Sequence, residues 1–341
     1  MKKLLSLIFA FLLLTSSVYP ATLILDDMEY ATDGVAQAAY VTDAAETTDV
    51  SIASDSGGYW SVGNPTGTDG WKVAQSFKLS ADTILSAVEF KRYISTLGTP
   101  TGNWRIRIET NNAGQPSGTL ADINATVDVA PPAEGAVKKC IFAKSFLLLG
   151  ATTYHAVIQA ADVQSTGNAW RIDSNDADVY ADGTASYFTT SWSNVVDDFY
   201  FKAYVISLQS YSEATIKTQG SYALKAVATT GAINKTLTKT ASLGNLTGVK
   251  NLRFDAYALR TGAQWKLGIH DTGGTTTEIT PTIATSNTWQ PNNWDFSAVS
   301  DANKDAIDTL TFTITNADSA NTVYLDYAEI AQAIDVWGWV N

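Results

Sequence analysis

The sequence of 341 residues has one cysteine, Cys140, two histidines and two methionines. A lone cysteine excludes an internal disulfide, so the folded state must rest on packing alone, which a chain of this length can supply. Within Lys138-Lys139-Cys140-Ile141-Phe142 the thiol falls in an alternating run that reads as a buried strand position. The two histidines, His155 and His270, lie far apart and in no H-E-x-x-H frame, which argues against a zincin-type centre. Neither a G-x-S-x-G elbow nor a P-loop occurs. Positive charge is also scarce: 22 Lys and Arg stand against 34 Asp and Glu, a net charge of −12. Such a surface repels nucleic acid and anionic membranes, and neither is expected as a partner. Helical periodicity is almost missing, and so are long apolar runs. The longest, Leu4 to Leu14, is too short to span a bilayer, so no membrane insertion is expected.

That run follows Met1-Lys2-Lys3 and ends in Thr15-Ser16-Ser17. A basic start, a short apolar stretch and a small-residue exit describe a secretory leader over residues 1–21, and hence a secreted or cell-surface protein. What remains is rich in Thr, Val, Ile, Tyr and Trp, residues suited to pleated, half-buried strands. Short alternating segments broken by Gly, Asn and Asp predict an all-β chain of two β-sandwiches. In Trp104-Arg105-Ile106-Arg107-Ile108, the isoleucines share one face and the arginines the other. Strands are expected at Leu23 to Tyr30, near Ala38 to Val41, and at Thr288 to Phe296. Residues 22–48 are too few for a core of their own. The economical arrangement joins them to 209–335 as one discontinuous domain, with 49–208 inserted and 336–341 a tail.

Ala74-Gln75-Ser76-Phe77, the strand Trp104 to Glu109 leading into Asn112-Ala113-Gly114-Gln115-Pro116, and Leu148 to Tyr154 resemble the choice-of-anchor domain of bacterial surface and secreted proteins. This resemblance covers residues 50–207 and implies a β-sandwich. Asp26-Asp27-Met28-Glu29, Gly220-Ser221-Tyr222-Ala223-Leu224, Asn287-Thr288-Trp289 and Tyr324-Leu325-Asp326-Tyr327 resemble, in that order, a carbohydrate-binding jelly roll. In that family, carboxylates of the first and last strands hold a structural calcium with carbonyls of a Gly-Ser-Tyr-type turn. The resemblance therefore implies Glu29 and Asp326 as calcium ligands, with Asp27 as a third, and Trp289 as a core residue.

Sugars offer flat apolar C–H faces ringed by hydroxyls, so a glycan site needs exposed Trp or Tyr rings with polar neighbours. Trp265 in Gly262-Ala263-Gln264-Trp265-Lys266 and Trp294 in Asn292-Asn293-Trp294-Asp295 have such neighbours. Gln264, His270 and Arg260 are the candidate hydrogen-bonding partners. Paired carboxylates of a glycosidase are the remaining chemistry to consider, and Asp26-Asp27 and Asp197-Asp198 are the visible pairs. Adjacent strand residues point to opposite faces, so neither pair can flank one glycosidic bond. The expectation is a non-catalytic module that binds extracellular or cell-surface polysaccharide. A structural surface protein or adhesin with a protein partner is the alternative.

Overall fold

A computed structural model describes residues 22–53, 57–64 and 71–331. The expected leader (1–21) and tail (336–341) lie outside these residues. The chain is all-β, and its apolar side chains gather into two main cores. One draws on residues between Leu25 and Ala44 and between Leu208 and Ile330. The other draws on residues between Val50 and Val205.

Two antiparallel sheets enclose the first core. In the front sheet the order is Leu208–Glu213, Ala223–Ala228, Asn321–Ala331, Asn251–Ala258, Gln290–Asp295. Thr22–Asp26 pairs with the far half of Asn321–Ala331, Thr22 opposite Ala331. The rear sheet runs Val41–Thr42, Thr236–Gly244, Ile307–Ile314, Trp265–Asp271, Thr276–Ile279. Most strands that neighbour each other in space are remote in sequence, as in Greek-key sandwiches. Each contributes alternate residues to the core: Leu252, Phe254, Ala256 and Ala258 point inward from the front sheet, and Leu310, Phe312 and Ile314 from the rear.

The strand expected near Ala38 to Val41 starts only at Val41, and Ala38 and Ala39 end a helix instead. Asp33–Ala39 is a helix, whose N-cap Thr32 accepts from the Val35 N–H and which buries Ala36 against the Leu208–Glu213 strand. The Ser210 hydroxyl meets the carbonyls of Ala36 and Tyr40 there. Alanine-rich composition and a Thr cap suffice for this short turn of helix once tertiary contacts hold it.

The second core lies between a sheet containing Lys72–Lys78, Thr153–Ala160 and Trp104–Asn112 and one ordered Val137–Leu148, Thr83–Lys91, Phe201–Ile206, Thr47–Ile52. Cys140 is buried in it. Entry and exit strands of this unit are direct neighbours, with Thr47 opposite Val205. A small third cluster, Ile84, Ile206, Tyr211 and Val227, seals the two units together. It places the second unit on the outer face of the front sheet at its Leu208–Glu213 edge.

Candidate functional site

The two tryptophans expected to meet a glycan are core residues. Trp265 is 0% exposed and Trp294 4%. Trp265 shares its strand face with Leu267 and Ile269, stacks on Phe312 at 4.9 Å and meets Phe254 edge-on at 5.7 Å. Trp294 packs against Phe296 at 5.5 Å. Their neighbours Lys266, Asn293 and Asp295 are outward residues of the same strands, because alternation sends them the other way. Gln264 is also buried: its carbonyl oxygen accepts from Asn321 and its amide donates to the Thr261 carbonyl. His270 faces outward from the rear sheet and pairs with Asp308 at 2.7 Å, while Arg260 pairs with Asp318 at 2.5 Å. These residues do not converge, so the expected site does not form.

Trp289 reverses its expected role. It lies just before the Gln290–Asp295 strand and is half-buried on the outer face, not in the core. Asn287, with φ of 57°, turns the chain, and its N–H donates to the Ala258 carbonyl at 2.9 Å. Asparagine tolerates that left-handed backbone better than most residues. The turn sets the Trp289 ring 5.6 Å from Tyr257. Tyr257 stands opposite Tyr324, at a ring separation of 5.1 Å. Tyr324 stands opposite Lys225, whose Nζ lies 5.9 Å from its ring, and Lys225 stands opposite Tyr211. One rung of the front sheet thus reads Trp289, Tyr257, Tyr324, Lys225, Tyr211 on its outer face. Across strands spaced 4.7–4.9 Å apart this row extends roughly 19 Å.

Burial, with Glu213 and Tyr257 nearby, pushes the Tyr324 hydroxyl up to about 12, so it remains a neutral donor. Lys225 is balanced by Glu213 at 4.0 Å. At the Tyr211 end the row runs into a cavity of about 260 Å³ between the two units. Its walls are Asp33, Tyr211, Ser212, Lys225 and Thr322 of the first unit and Asp122, Asn124, Phe146 and Leu147 of the second.

The carboxylates proposed for calcium lie beside this row, Asp326 being two residues along the strand from Tyr324. Glu29 accepts the N–H groups of Ser221 (2.8 Å) and Tyr222 (3.4 Å), and Asp326 Oδ2 accepts from Thr218 N (2.7 Å), Thr218 Oγ1 (3.0 Å) and Gln219 N (3.1 Å). Both therefore clasp one loop, residues 217–222. Gly220 is required in it, with φ of 56° and space for a Cβ taken by Glu29 Oε1. Asp27 turns away and accepts its own Glu29 N–H, so it does not join them. Asp326 is buried with Oδ1 lacking a partner, and Asp255 stands opposite it. Burial raises the Asp326 carboxyl above its ordinary range, Asp255 adds to the rise, and the donors from Thr218 and Gln219 oppose it. Unsatisfied carboxylate oxygen is what a hard cation takes. Among the described residues no three His, Cys, Asp or Glu side chains gather as a metal-holding group, so an ion here would draw on carbonyl oxygens as well.

Asp26, which alternation alone does not single out, is the more deeply engaged acid. It accepts from Tyr30 Oη, Tyr40 Oη and the Met28 N–H, and pairs with Lys239 at 2.8 Å. Asp197 accepts from Trp60 Nε1, whereas Asp198 accepts from Gln75, Val179 and Tyr180. The two neighbours are engaged by separate partners and do not flank a common cleft. His155 is buried, and desolvation lowers it to about 4, so it stands as a neutral imidazole bonded to Asn111. Elsewhere on the second unit, Tyr59 is 43% exposed, lies 4.7 Å from Tyr93 and carries the Arg171 guanidinium 4.1 Å from its ring.

No protein-family model matches the sequence, and no curated protein matches it. Among solved structures, an exo-β-agarase aligns with a TM-score of 0.31 at 12% identity, over 37% of this chain and 22% of that one. The family 30 carbohydrate-binding module of a Clostridium thermocellum cellulosomal cellulase aligns with a TM-score of 0.29 at 15% identity, over 37% and 83%. The tandem CBM22-1–CBM22-2 domains of Paenibacillus barcinonensis Xyn10C align with a TM-score of 0.27 at 8% identity, over 93% and 99%. The likeness concerns β-sandwich architecture alone.

Proposed function

We propose that the chain is an exported, non-catalytic glycan-binding protein whose ligand lies along the outer-face row from Trp289 to Lys225. The observation that carries this reading is the row itself: partly exposed Trp289 and Tyr257 rings beside Tyr324 and Lys225 on a rigid sheet. Trp289 and Tyr257, fixed by cross-strand neighbours that include the buried Tyr324, present apolar faces to sugar C–H groups without losing much side-chain entropy on binding. Asp255, Asn293 and Thr322, which share that outer face, supply donors and acceptors for hydroxyls. The second unit, with its resemblance to a choice-of-anchor sandwich, serves in this reading as a surface module docked on the first.

Calcium belongs to the same proposal as a brace. Glu29 and Asp326 would hold it at the 217–222 loop, where it would offset the cost of the buried Asp326 carboxylate.

Affinity electrophoresis of the protein through a panel of neutral polysaccharides tests the function. Trp289→Ala and Tyr257→Ala are expected to weaken binding at least about tenfold, equivalent to about 1.4 kcal/mol per ring. Binding that is indifferent to both substitutions would overturn the site. For calcium, a melting temperature that rises with added Ca²⁺, and no longer does so in Asp326→Asn, supports the brace; an unmoved melting temperature refutes it.

A further inference from the structure

The aromatic row has unlike ends. At Trp289 it stops at a turn beside an edge strand and is open to solvent. At Tyr211 it passes beneath Ile84 and Ile206 of the second unit and is closed. A polymer lying across the rung can continue past Trp289, but past Lys225 it meets a wall. That wall is polar where it faces the row. Asp122 is held in place by the N–H and the side-chain amide of Asn124, and Asp33 by the Ser212 N–H. The half-open cleft of about 260 Å³ falls below the ~300–1,000 Å³ of pockets for drug-sized ligands, so it suits roughly one sugar ring.

Charge narrows the ligand further. Asp33 and Asp122 line the cavity together with Lys225, which is already balanced by Glu213, and the whole chain carries −12. A uronic or sulfated sugar would be repelled there, while a neutral sugar finds acceptors in the two carboxylates and donors in the second amide hydrogen of Asn124 and the Thr322 hydroxyl.

We infer that the cleft between the two units captures the terminal sugar of a neutral polysaccharide, so that the protein binds chain ends and not chain interiors. This rests on the reading of the row as a glycan platform. The second unit is then part of the binding site, since without it the row would be open at both ends.

Calorimetric titration with neutral gluco-, xylo- and galacto-oligosaccharides of increasing length, their parent polymers and a cyclic glucan tests the inference. Affinity is expected to rise with length only until the row is filled, and a polymer to bind one protein per chain. The cyclic glucan, which has no end, is expected not to bind. Blocking one terminus of the oligosaccharide by reduction or by O-methylation identifies which end enters. Leu147→Trp, which fills the cleft from an exposed position, and Asn124→Ala should each weaken oligosaccharide binding at least fivefold with the melting temperature unchanged. Capacity that grows with polymer length at a constant number of ends, or equal binding of the cyclic glucan, overturns end capture and leaves the platform standing. If no sugar of the panel binds, the platform reading falls and end capture falls with it.

Discussion

Trp289 and Trp294 occupy one short segment and face opposite ways, and a single period-two count separates them. Substituting either by alanine should have opposite consequences. Trp294→Ala and Trp265→Ala remove buried rings and are expected to cost about 3–5 kcal/mol in denaturant titrations. Trp289→Ala should leave stability nearly unchanged and weaken glycan binding at least about tenfold. The parity of these rings was legible in the sequence, yet polar neighbours suggested the reverse assignment, because residues flanking a core ring on a strand are outward-facing by construction. The row itself was not legible. Its members come from five separated segments, and only the register between strands brings them onto one rung. His155 gives a residue-scale pH effect. Between pH about 4 and its ordinary 6.5, the unfolded chain binds a proton that the folded chain does not. Stability should therefore fall as pH drops through that window, by about 3 kcal/mol in total. His155→Gln should flatten that part of a ΔG-versus-pH curve relative to the parent, and an unchanged difference across the window would refute the assignment.

At the scale of elements, the first strand, the helix and the rear sheet are tied by one carboxylate. Asp26 receives Tyr30, Tyr40 and Lys239 in a site almost closed to water. Removing one partner of a buried pair strands the other, so Asp26→Ala is expected to cost about 3–5 kcal/mol. Lys239→Met should cost less, because the two tyrosine hydroxyls continue to satisfy the acid. Equal losses in the two variants would show that the ion pair, not the hydroxyls, carries the site. Strand alternation was the most reliable guide at this scale: Arg105 and Arg107 face outward and Ile106 and Ile108 inward, as the pattern requires. The Asp33–Ala39 helix escaped it, since seven residues hold too few turns for a 3.6-residue period to stand out.

For the whole molecule, the neighbouring entry and exit strands of the second unit matter most. Thr47 lies opposite Val205, so the ends of this unit are about 5 Å apart, a gap a short linker can close. Excision of residues 49–207, which spares Leu208 of the host core, is therefore expected to leave a sandwich that melts cooperatively once Tyr211 and Val227, uncovered by the cut, are made polar. Such a protein should retain the Trp289-dependent binding and lose the preference for chain ends. The presence of two cores was readable from composition and turn spacing. Their docking through Ile84, Ile206, Tyr211 and Val227 was not, because it relies on four ordinary apolar residues with no local pattern.

The pairing of Thr22–Asp26 with the last strand has a mechanical consequence. Thr22 sits directly across from Ala331, so tension applied between these two points loads the ladder from one end and opens its hydrogen bonds one after another. A shear geometry, in which all bonds share the load, would resist far more. Extension would thus peel the first strand away at low force, releasing the Asp26 and Glu29 anchors. The second unit, whose ends meet within the first, would lie outside the load path until its host had opened.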